Sequence, residues 1–203
     1  MMLSDFDIKK AIKDGELVIK PFKETQIGPA SYDLLLGNKI RIFKPTEHAC
    51  IDVKNYRDDF KYIHKTKNKI IEHCTYTDLI TSKDPFVLHQ GEFVLCDTVE
   101  YFEFSKNLAG QLMGKSSIGR LGVIVHVTAG FFDPGFKGFG TLEMANLGKI
   151  SVKFYPGMKI AQMAFYKLIT PCKIPYNERK GSKYIKNNQA AESRISQDFN
   201  KKK

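Results

Sequence analysis

The chain lacks several features that would assign it to familiar protein classes. Its 203 residues include no tryptophan and only four cysteines, at positions 50, 74, 96 and 172, none of which forms a C-x-x-C pair. Such wide spacing favours reduced, mostly structural thiols over a disulfide framework or a zinc cluster. No apolar run reaches the ~18 residues that a membrane-spanning helix needs, so we expect no membrane partner.

The amino terminus lacks the apolar core of a signal peptide. MMLSDFDIKK carries charge from Asp5 onward, too early for a secretory leader. We therefore expect a soluble cytoplasmic protein. The length fits one domain over residues 1–203, enough to bury roughly 70% of the unfolded surface.

Acidic residues are scarce relative to basic ones. Lys and Arg total 32 against 22 Asp and Glu, giving a net charge of +10, and from Lys173 onward they number nine against three. This excess suggests a polyanionic partner, either a nucleic acid or a nucleotide triphosphate covered by a mobile tail. A solvated lysine-rich tail is the plainer alternative. No basic stripe alternates with aromatics, which counts against nucleic acid.

Periodicity predicts one amino-terminal helix followed by strands. Ser4 can cap a helix whose apolar face carries Ile8, Ala11 and Ile12, and Gly15 can end it. Later segments are short and apolar, separated by Gly, Pro and Asn turns, with Gly37-Asn38 taken as one such turn. The pattern predicts a mostly-β domain, a sandwich or barrel. The predicted strands cover residues 17–19, 34–36, 40–43, 86–88, 93–96, 108–113, 123–127, 140–145, 150–154 and 161–168.

Two segments depart from this pattern. Residues 54–83 are polar, weakly periodic and free of Gly and Pro, so we interpret them as an insertion, partly helical. The tail from Tyr176 to the end, residues 176–203, has no apolar face and should be extended or disordered until something binds it.

The block from Gly114 to Glu143 concentrates the chemistry. Its first part, GKSSIGR at 114–120, combines glycines that let backbone N–H groups approach an anion with serine hydroxyls and two cationic side chains. It is not a Walker motif, and taken alone an ordinary turn explains it equally well. Context gives it weight.

Two carboxylates follow within the same block. Asp133 precedes a Pro-Gly turn and can simply bond its own backbone there. Strand alternation places Thr141 and Glu143 on one face and Leu142 and Met144 on the other. If the Glu143 face lines a cleft, Glu143 is a general acid/base candidate; otherwise it is an ordinary exposed carboxylate.

Zinc-dependent deamination is disfavoured. Zinc deaminases of bases use H-x-E with P-C-x-x-C, and none of the five histidines here is followed by x-Glu. His126, within the apolar stretch 123–127, is assigned a positioning role only. A deaminase built from this chain would have to activate water without zinc, most simply with a carboxylate base.

Four motifs resemble those of the dUTPase superfamily. They are ASYDL at 30–34, GKSSIGR at 114–120, AGFFDPGFKG at 129–138 and PGMKIAQM at 156–163. The fifth, glycine-rich dUTPase motif is absent. In its place stands YNERKGSKY at 176–184, followed by Ser193-Arg194, and this ending resembles the dCTP deaminase branch, as does the opening SDFDIKKAIKDGELVIKPF.

The resemblance implies a distorted β-barrel or jelly-roll subunit with an amino-terminal helix, assembled as a homotrimer with active sites at subunit interfaces. It implies dCTP as substrate, dTTP as a possible inhibitor, and Mg²⁺ bound with the triphosphate rather than by a protein metal site. Lys115 stands where many relatives have Arg, and Asn187 or Asn188 where they often have Gln. The substrate-binding residues it implies are Lys115, Ser116, Ser117, Ile118, Gly119, Arg120, Ala129, Asp133, Thr141, Leu142, Glu143, Gln162, Tyr176, Lys183 and Asn187.

The same resemblance implies a catalytic set of Glu143, Ser116, Arg120 and Asp133. Glu143 would take a proton from the water that attacks cytosine C4, with Ser116 and the backbone of Ala129 orienting that water. The tail would close as a lid.

Gly130-Phe131 resembles the bifunctional subgroup, which also cleaves the triphosphate and forms dUMP and pyrophosphate. Gly130 would leave room for a second water that Asp133 orients. The alternatives are a monofunctional deaminase that releases dUTP, a dUTPase, and a non-catalytic nucleotide sensor.

Overall fold

The computed structural model describes residues 1–47, 50–185 and 190–199, and the architecture is mostly β with few helices. The helical elements are α1 (Asp5–Lys13), the four-residue α2 (Ser116–Gly119), and two 3₁₀ turns at Glu24–Gln26 and Ile195–Asp198. The strands are β1 (Leu17–Lys20), β2 (Ile27–Gly28), β3 (Ser31–Phe43), β4 (Phe60–Lys65), β5 (Lys69–Cys74), β6 (Thr77–Ser82), β7 (Phe86–Leu88), β8 (Phe93–Phe104), β9 (Leu108–Gly114), β10 (Val123–Ile124), β11 (Phe131–Phe132), β12 (Lys137–Asn146), β13 (Val152–Phe154) and β14 (Lys159–Lys167).

The amino-terminal helix forms as its sequence predicts. The Ser4 hydroxyl accepts a hydrogen bond from the backbone N–H of Asp7, and the Asp7 carboxylate accepts one from the backbone N–H of Ser4. This reciprocal capping box satisfies two otherwise unpaired donors. Ile8 and Ala11 are buried, and Gly15 follows the last turn with φ +73°, a conformation that side chains disfavour.

The long strands β3 and β8 are the centre of the sheet. Hydrogen-bonded neighbours run in the order β10-β12-β8-β3-β14-β9-β11, and β1, β2 and β6 pair with strands on this path. Within the described residues the path stays open, so a closed barrel is not seen. The predicted turn at Gly37-Asn38 is wrong: β3 runs through it with a register shift between Leu36 and Ile40.

The segment 54–83 is not helical. Strands β4, β5 and β6 form an antiparallel meander, and β6 then pairs with β3 through Arg41 opposite Leu79. In β6, buried and partly exposed residues alternate over only a few positions, and β4 is exposed along its whole length. Neither strand therefore shows a clear alternation of apolar and polar residues. That weakness explains why the sequence pattern failed here.

The sheet has two differently covered faces. Leu142 and Met144 of β12 are fully buried in the main core with Phe102 and Phe165. On the opposite face, Leu79, Leu95 and the tail residue Ala190 form a small separate cluster. The described tail therefore packs against the domain, with one 3₁₀ turn as its regular structure.

One cross-strand row on this second face connects the middle of the sheet with Glu143. Leu79 lies opposite Arg41, Arg41 opposite Leu95, and Leu95 opposite Glu143. Directly opposed residues of antiparallel strands project from the same face. Arg41 and Glu143 therefore share that face two strands apart, roughly 10 Å at the usual strand spacing.

Among the described residues, no helix is both long and apolar enough to cross a lipid bilayer.

Candidate functional site

A cleft of about 450 Å³, here called the carboxylate cleft, opens beside the row that ends at Glu143. Strand β12 contributes its half-buried face, Thr141 and Glu143, as the alternation predicts. The full lining is Phe43, Phe93, Leu95, Ala129, Phe131, Phe132, Asp133, Phe136, Phe139, Thr141, Glu143, Tyr176, Tyr184, Ala191, Glu192 and Ser193.

The Glu143 carboxylate is held from the loop that follows β10. The backbone N–H of Thr128 donates to Oε2 at 3.0 Å, and the Thr128 hydroxyl lies 3.4 Å from the same oxygen. A backbone donor fixes the carboxylate without a competing positive charge. Glu143 thus has a defined orientation in the cleft while remaining available to a ligand.

Aromatic rings give the cleft an apolar wall. Phe132 and Phe136 meet edge to face with centroids 4.9 Å apart, and Phe136 lies 6.2 Å from Tyr176. The Tyr176 hydroxyl accepts a hydrogen bond from the backbone N–H of Tyr184 at 3.0 Å, which links the wall to the tail. Flat apolar surfaces of this kind suit a planar heterocycle.

The turn after Asp133 is built for close approach. Asp133 is half-buried in the cleft, and its carbonyl accepts from the backbone N–H of Phe136. Gly135 has φ +84°, and a Cβ there would lie 2.6 Å from the Cβ of Pro175 and 2.9 Å from the backbone nitrogen of Tyr176. Only glycine lets the tail pass this close.

A second cleft of about 480 Å³, here called the loop cleft, contains the glycine-rich loop. It is lined by Gly114, Lys115, Ser116, Gly119, Gly122, Val123, Ile124, Val125, His126 and Leu147. The lining supplies a cation, a hydroxyl and glycines, the groups expected for an anion. It shares no lining residue with the carboxylate cleft.

Lys115 is fixed by an acidic partner. Its Nζ donates to Asp33 Oδ1 at 2.6 Å, and Lys159 Nζ lies 2.9 Å from Asp33 Oδ2. Burial raises the pKa of the Asp33 carboxyl, but hydrogen bonds and charge from Lys115 and Lys159 outweigh burial, so its pKa lies below its usual value. Asp33 of the ASYDL motif therefore connects that motif to the GKSSIGR loop.

The predicted loop residues are not all equally placed. Ser116 and Gly119 are exposed and line the loop cleft, whereas Ser117 and Arg120 are exposed but lie outside its lining. Ile118 is buried in the main core, so its side chain faces away from any ligand. Leu142 is likewise buried in the core, and only the backbone of either residue can face a nucleotide.

Gly130 is packed more tightly than the sequence argument supposed. A Cβ there would lie 2.8 Å from the carbonyl oxygen of Leu112 and 3.3 Å from two ring atoms of His126. The space next to the Gly130 Cα is therefore already filled by Leu112 and His126, and it leaves no room for a second water. Phe131 lines the carboxylate cleft and is 62% exposed.

Three further predicted residues lie away from both clefts or outside the described residues. Gln162 sits on β14 opposite Asp33, with its Oε1 3.5 Å from the hydroxyl of Ser31. Lys183 pairs with Asp198 within the tail. Asn187 lies outside the described residues.

The sequence predicted that the tail closes over the site, but it assigned no site role to residues 191–193. Ala191, Glu192 and Ser193 line the carboxylate cleft, and Arg41 holds this part of the tail. The signal available beforehand was Arg41 itself, an arginine within the alternating strand 40–43. A charged residue in an apolar strand requires a buried partner.

Over residues 1–47, 50–185 and 190–199 there is no group of three or more His, Cys, Asp or Glu side chains placed to hold a metal ion.

The chain combines an aromatic cleft that holds an oriented carboxylate with a glycine-rich loop that holds a lysine. This combination is typical of nucleotide-binding proteins. Residues 2–168 match the dCTP deaminase-like family. The chain belongs to the dCTP deaminase-like family.

Relatives with assigned names match over almost the whole chain. The dUMP-forming dCTP deaminase of Nanoarchaeum equitans is 46% identical over 98% of this chain and 100% of its own length. The protein of the same name from Dictyoglomus thermophilum is 43% identical over 100% of this chain and 98% of its own.

Among solved structures, the 2'-deoxycytidine 5'-triphosphate deaminase of Agrobacterium tumefaciens is similar, with a TM-score of 0.56 and 17% identity. The match covers 81% of this chain and 47% of that one, so this chain spans about half the length of that structure. At this identity the likeness shows the fold alone.

Proposed function

We propose that this chain is a bifunctional dCTP deaminase that converts dCTP and two waters into dUMP, pyrophosphate and ammonia. The observation that carries the proposal is Glu143, oriented by Thr128 in an aromatic cleft, in a chain 42–46% identical to relatives named as dUMP-forming deaminases. It is a zinc-independent hydrolase active in deoxynucleotide metabolism.

In the first step, water adds to cytosine C4. Glu143 takes one proton from this water as its oxygen bonds to C4 and delivers it to the ring nitrogen N3, which receives the electron pair of the C4–N3 double bond. Glu143 then carries the remaining proton of the new hydroxyl to the exocyclic nitrogen. The C4–N bond then breaks, ammonia leaves, and the uracil carbonyl forms. Ser116 and the backbone of Ala129 orient the attacking water, and the aromatic wall excludes bulk solvent from the base.

In the second step, water attacks the α-phosphorus of the bound uracil nucleotide. The bond to the bridging oxygen breaks and pyrophosphate leaves, so that dUMP remains. Asp133, half-buried beside Phe131, is assigned to orient this second water. Because Gly130 is closely packed, we assign it the role of fixing the path of the loop before Phe131.

The phosphates bind at the glycine-rich loop. Lys115, Ser116, Ser117, Gly119 and Arg120 supply charge, hydroxyls and backbone N–H groups. Since the loop cleft and the carboxylate cleft have no lining residue in common, we propose that the loop of one subunit completes the carboxylate cleft of its neighbour. A homotrimer of dUTPase-like barrels provides that arrangement.

Magnesium enters as part of the substrate. The described residues offer no carboxylate or histidine cluster for a resident ion, and Mg²⁺ binds readily to triphosphate oxygens. Both carboxylate oxygens of Asp33 are already paired, one with Lys115 and one with Lys159, so Asp33 is not expected to bind such an ion. Mg²⁺ supplies charge neutralisation at the phosphates, while the residues named above position the nucleotide.

The tail is assigned as a lid with Tyr176 and Lys183 as nucleotide contacts, and Asn187 as a further one. Lys183 now pairs with Asp198, so phosphate binding would exchange one anionic partner for another. Inhibition by dTTP, a role for Gln162 and a cytoplasmic location remain predictions of the family resemblance.

Incubation of the purified protein with dCTP and Mg²⁺, followed by chromatography of the nucleotides, tests the proposal. We expect dUMP and pyrophosphate to appear together without free dUTP. Accumulating dUTP would identify the monofunctional alternative, and no turnover of dCTP would favour the dUTPase or sensor.

A further inference from the structure

Arg41 is a buried cation outside the residues assigned to catalysis. It lies near the carboxyl end of β3 with 6% of its surface exposed. A buried guanidinium is tolerated only when its donors are paired. Its partners come from two different parts of the chain, the 54–83 segment and the tail.

The first set of partners is rigid. Nη1 donates to Asp58 Oδ2 at 3.0 Å and to Thr77 Oγ1 at 2.7 Å. The Asp58 side chain is fully buried, and its Oδ1 accepts from the backbone N–H groups of Tyr76 and Thr77 at 2.7 and 3.2 Å. Asp58 is therefore fixed by the β5–β6 connection, and it fixes Arg41 in turn.

The second set of partners is the tail. Arg41 Nε donates to the carbonyl oxygen of Ala190 at 3.0 Å, and Nη2 lies 3.4 Å from Glu192 Oε2. Ala190 is fully buried against Leu79 and Leu95. The guanidinium thus connects a rigid anchor, which Nη1 contacts, to a short tail segment, which Nε and Nη2 contact.

The held segment is part of the site. Ala191, Glu192 and Ser193 line the carboxylate cleft, and Leu95 separates Arg41 from Glu143 in the cross-strand row. The residues that Arg41 fixes are therefore the ones that cover the sheet face next to the proposed general base.

We propose that Arg41 is a positioning residue, anchored by Asp58, that holds residues 190–193 as the tail wall of the carboxylate cleft. The kinetic part of this inference rests on the proposed function. It gives the 54–83 segment a role: Asp58 orients the arginine that places the tail. Arg41 itself touches no reacting atom.

Two substitutions test the inference in the full-length chain. Glu192→Ala removes one tail partner from a side chain that is 34% exposed, so folding should be preserved. Arg41→Lys keeps the charge but loses the planar fork that reaches both sets of partners. We expect the dCTP KM to rise about threefold and tenfold respectively, with kcat within about twofold.

Hydrogen–deuterium exchange supplies a readout that needs no turnover. Without nucleotide, peptides covering 190–199 should exchange about tenfold faster in Arg41→Lys, while peptides from β8 and β12 stay unchanged. Glu192→Gln, which keeps a hydrogen-bond acceptor, should fall between wild type and Glu192→Ala.

Lys44→Gln is the matched control, because Lys44 follows β3 and pairs with Asp78 at 3.0 Å rather than with the tail. Wild-type KM and tail exchange in both test variants would overturn the inference, as would equal changes in the control. If the wild-type chain turns over no dCTP, the proposed function fails, and tail exchange alone decides the role of Arg41. Should Arg41→Lys not fold, the Glu192 variants decide.

Discussion

The carboxylate cleft and the loop cleft are similar in size, about 450 and 480 Å³, but differ in chemistry. The carboxylate cleft has aromatic walls, the carboxylates of Asp133 and Glu143, and one wall made by the tail. The second has glycines, Ser116 and Lys115, the last fixed by Asp33. One suits a heterocycle and the other an anion.

Under the proposed function, one nucleotide has to use both clefts. A nucleotide triphosphate needs both kinds of surface within one molecule's length, and here they line separate clefts. Pairing the carboxylate cleft of one subunit with the loop of another would meet that need, and the following predictions test this division of labour.

The largest effect is expected in the carboxylate cleft. Glu143→Gln keeps the shape and the contact with Thr128 but removes the proposed base, so kcat should fall about a thousandfold. Binding of dCTP, measured by titration calorimetry, should stay within a few-fold of wild type. Glu103→Gln, on β8 facing Lys137, is the control and should keep normal turnover. Normal kcat in Glu143→Gln would remove Glu143 from the mechanism.

Mixing two inactive variants tests whether the clefts of different subunits cooperate. Glu143→Gln loses the proposed base, and Arg120→Ala loses a proposed phosphate contact of the loop. Subunit exchange in an equal mixture should restore about a quarter of wild-type activity, because one site in four then joins two intact halves. If both halves belong to one chain, the mixture will stay as inactive as its components.

Removing the tail should weaken the carboxylate cleft selectively. A chain ending before Lys180 lacks the wall from 190–193 and the predicted contacts of Lys183 and Asn187. We expect the dCTP KM to rise about tenfold with the oligomeric mass unchanged by light scattering. Unchanged kinetics would show that the tail is no lid.

Gly130 tests the connection between the clefts, since its neighbour His126 lines the loop cleft and Phe131 the other. In Gly130→Ala the new methyl group meets Leu112 O at 2.8 Å, so the loop must shift. Overpacking of this kind costs about 1–3 kcal/mol of unfolding free energy, measurable by urea titration. We also expect the ratio of dUTP to dUMP to rise. For the urea titration, Gly119→Ala is the control, because nothing lies within 4 Å of its added Cβ and, like Gly130, it has no positive φ.

The smallest effect concerns the ion pairs of the loop cleft. A carboxyl whose pKa is lowered in the folded state stabilises the fold above its unfolded pKa of about 4, and this stabilisation is lost as pH falls through the folded pKa. Asp33→Asn should therefore lower the melting temperature by a few degrees at pH 7 and by less near pH 3. An equal difference at both values would contradict the lowered pKa of Asp33.

The sequence predicted what depends on local periodicity. The helix capped by Ser4, the mostly-β architecture, and the faces of β12 follow from patterns of a few residues, and all three are confirmed. The helical interpretation within 54–83 failed because β4 is exposed on both faces and carries no alternating signal.

Contacts between distant segments could not be predicted in the same way. Arg41 meets Asp58 and Ala190 only after β3, the meander and the tail come together. The packing of Gly130 against Leu112 and His126 likewise depends on where β9 passes. Such partners are separated by many residues, so no local pattern records them.

The disjoint linings of the two clefts also bear on how such a chain can change over generations. If the aromatic residues around Glu143 contact the base and the loop contacts the phosphates, as proposed, a substitution among those aromatic residues alters the choice of base while leaving Lys115 and Ser116 untouched. A substitution in the loop does the reverse. Selection can therefore act on the heterocycle and on the phosphates one at a time, and new nucleotide preferences can arise without the loss of an anion site already in place.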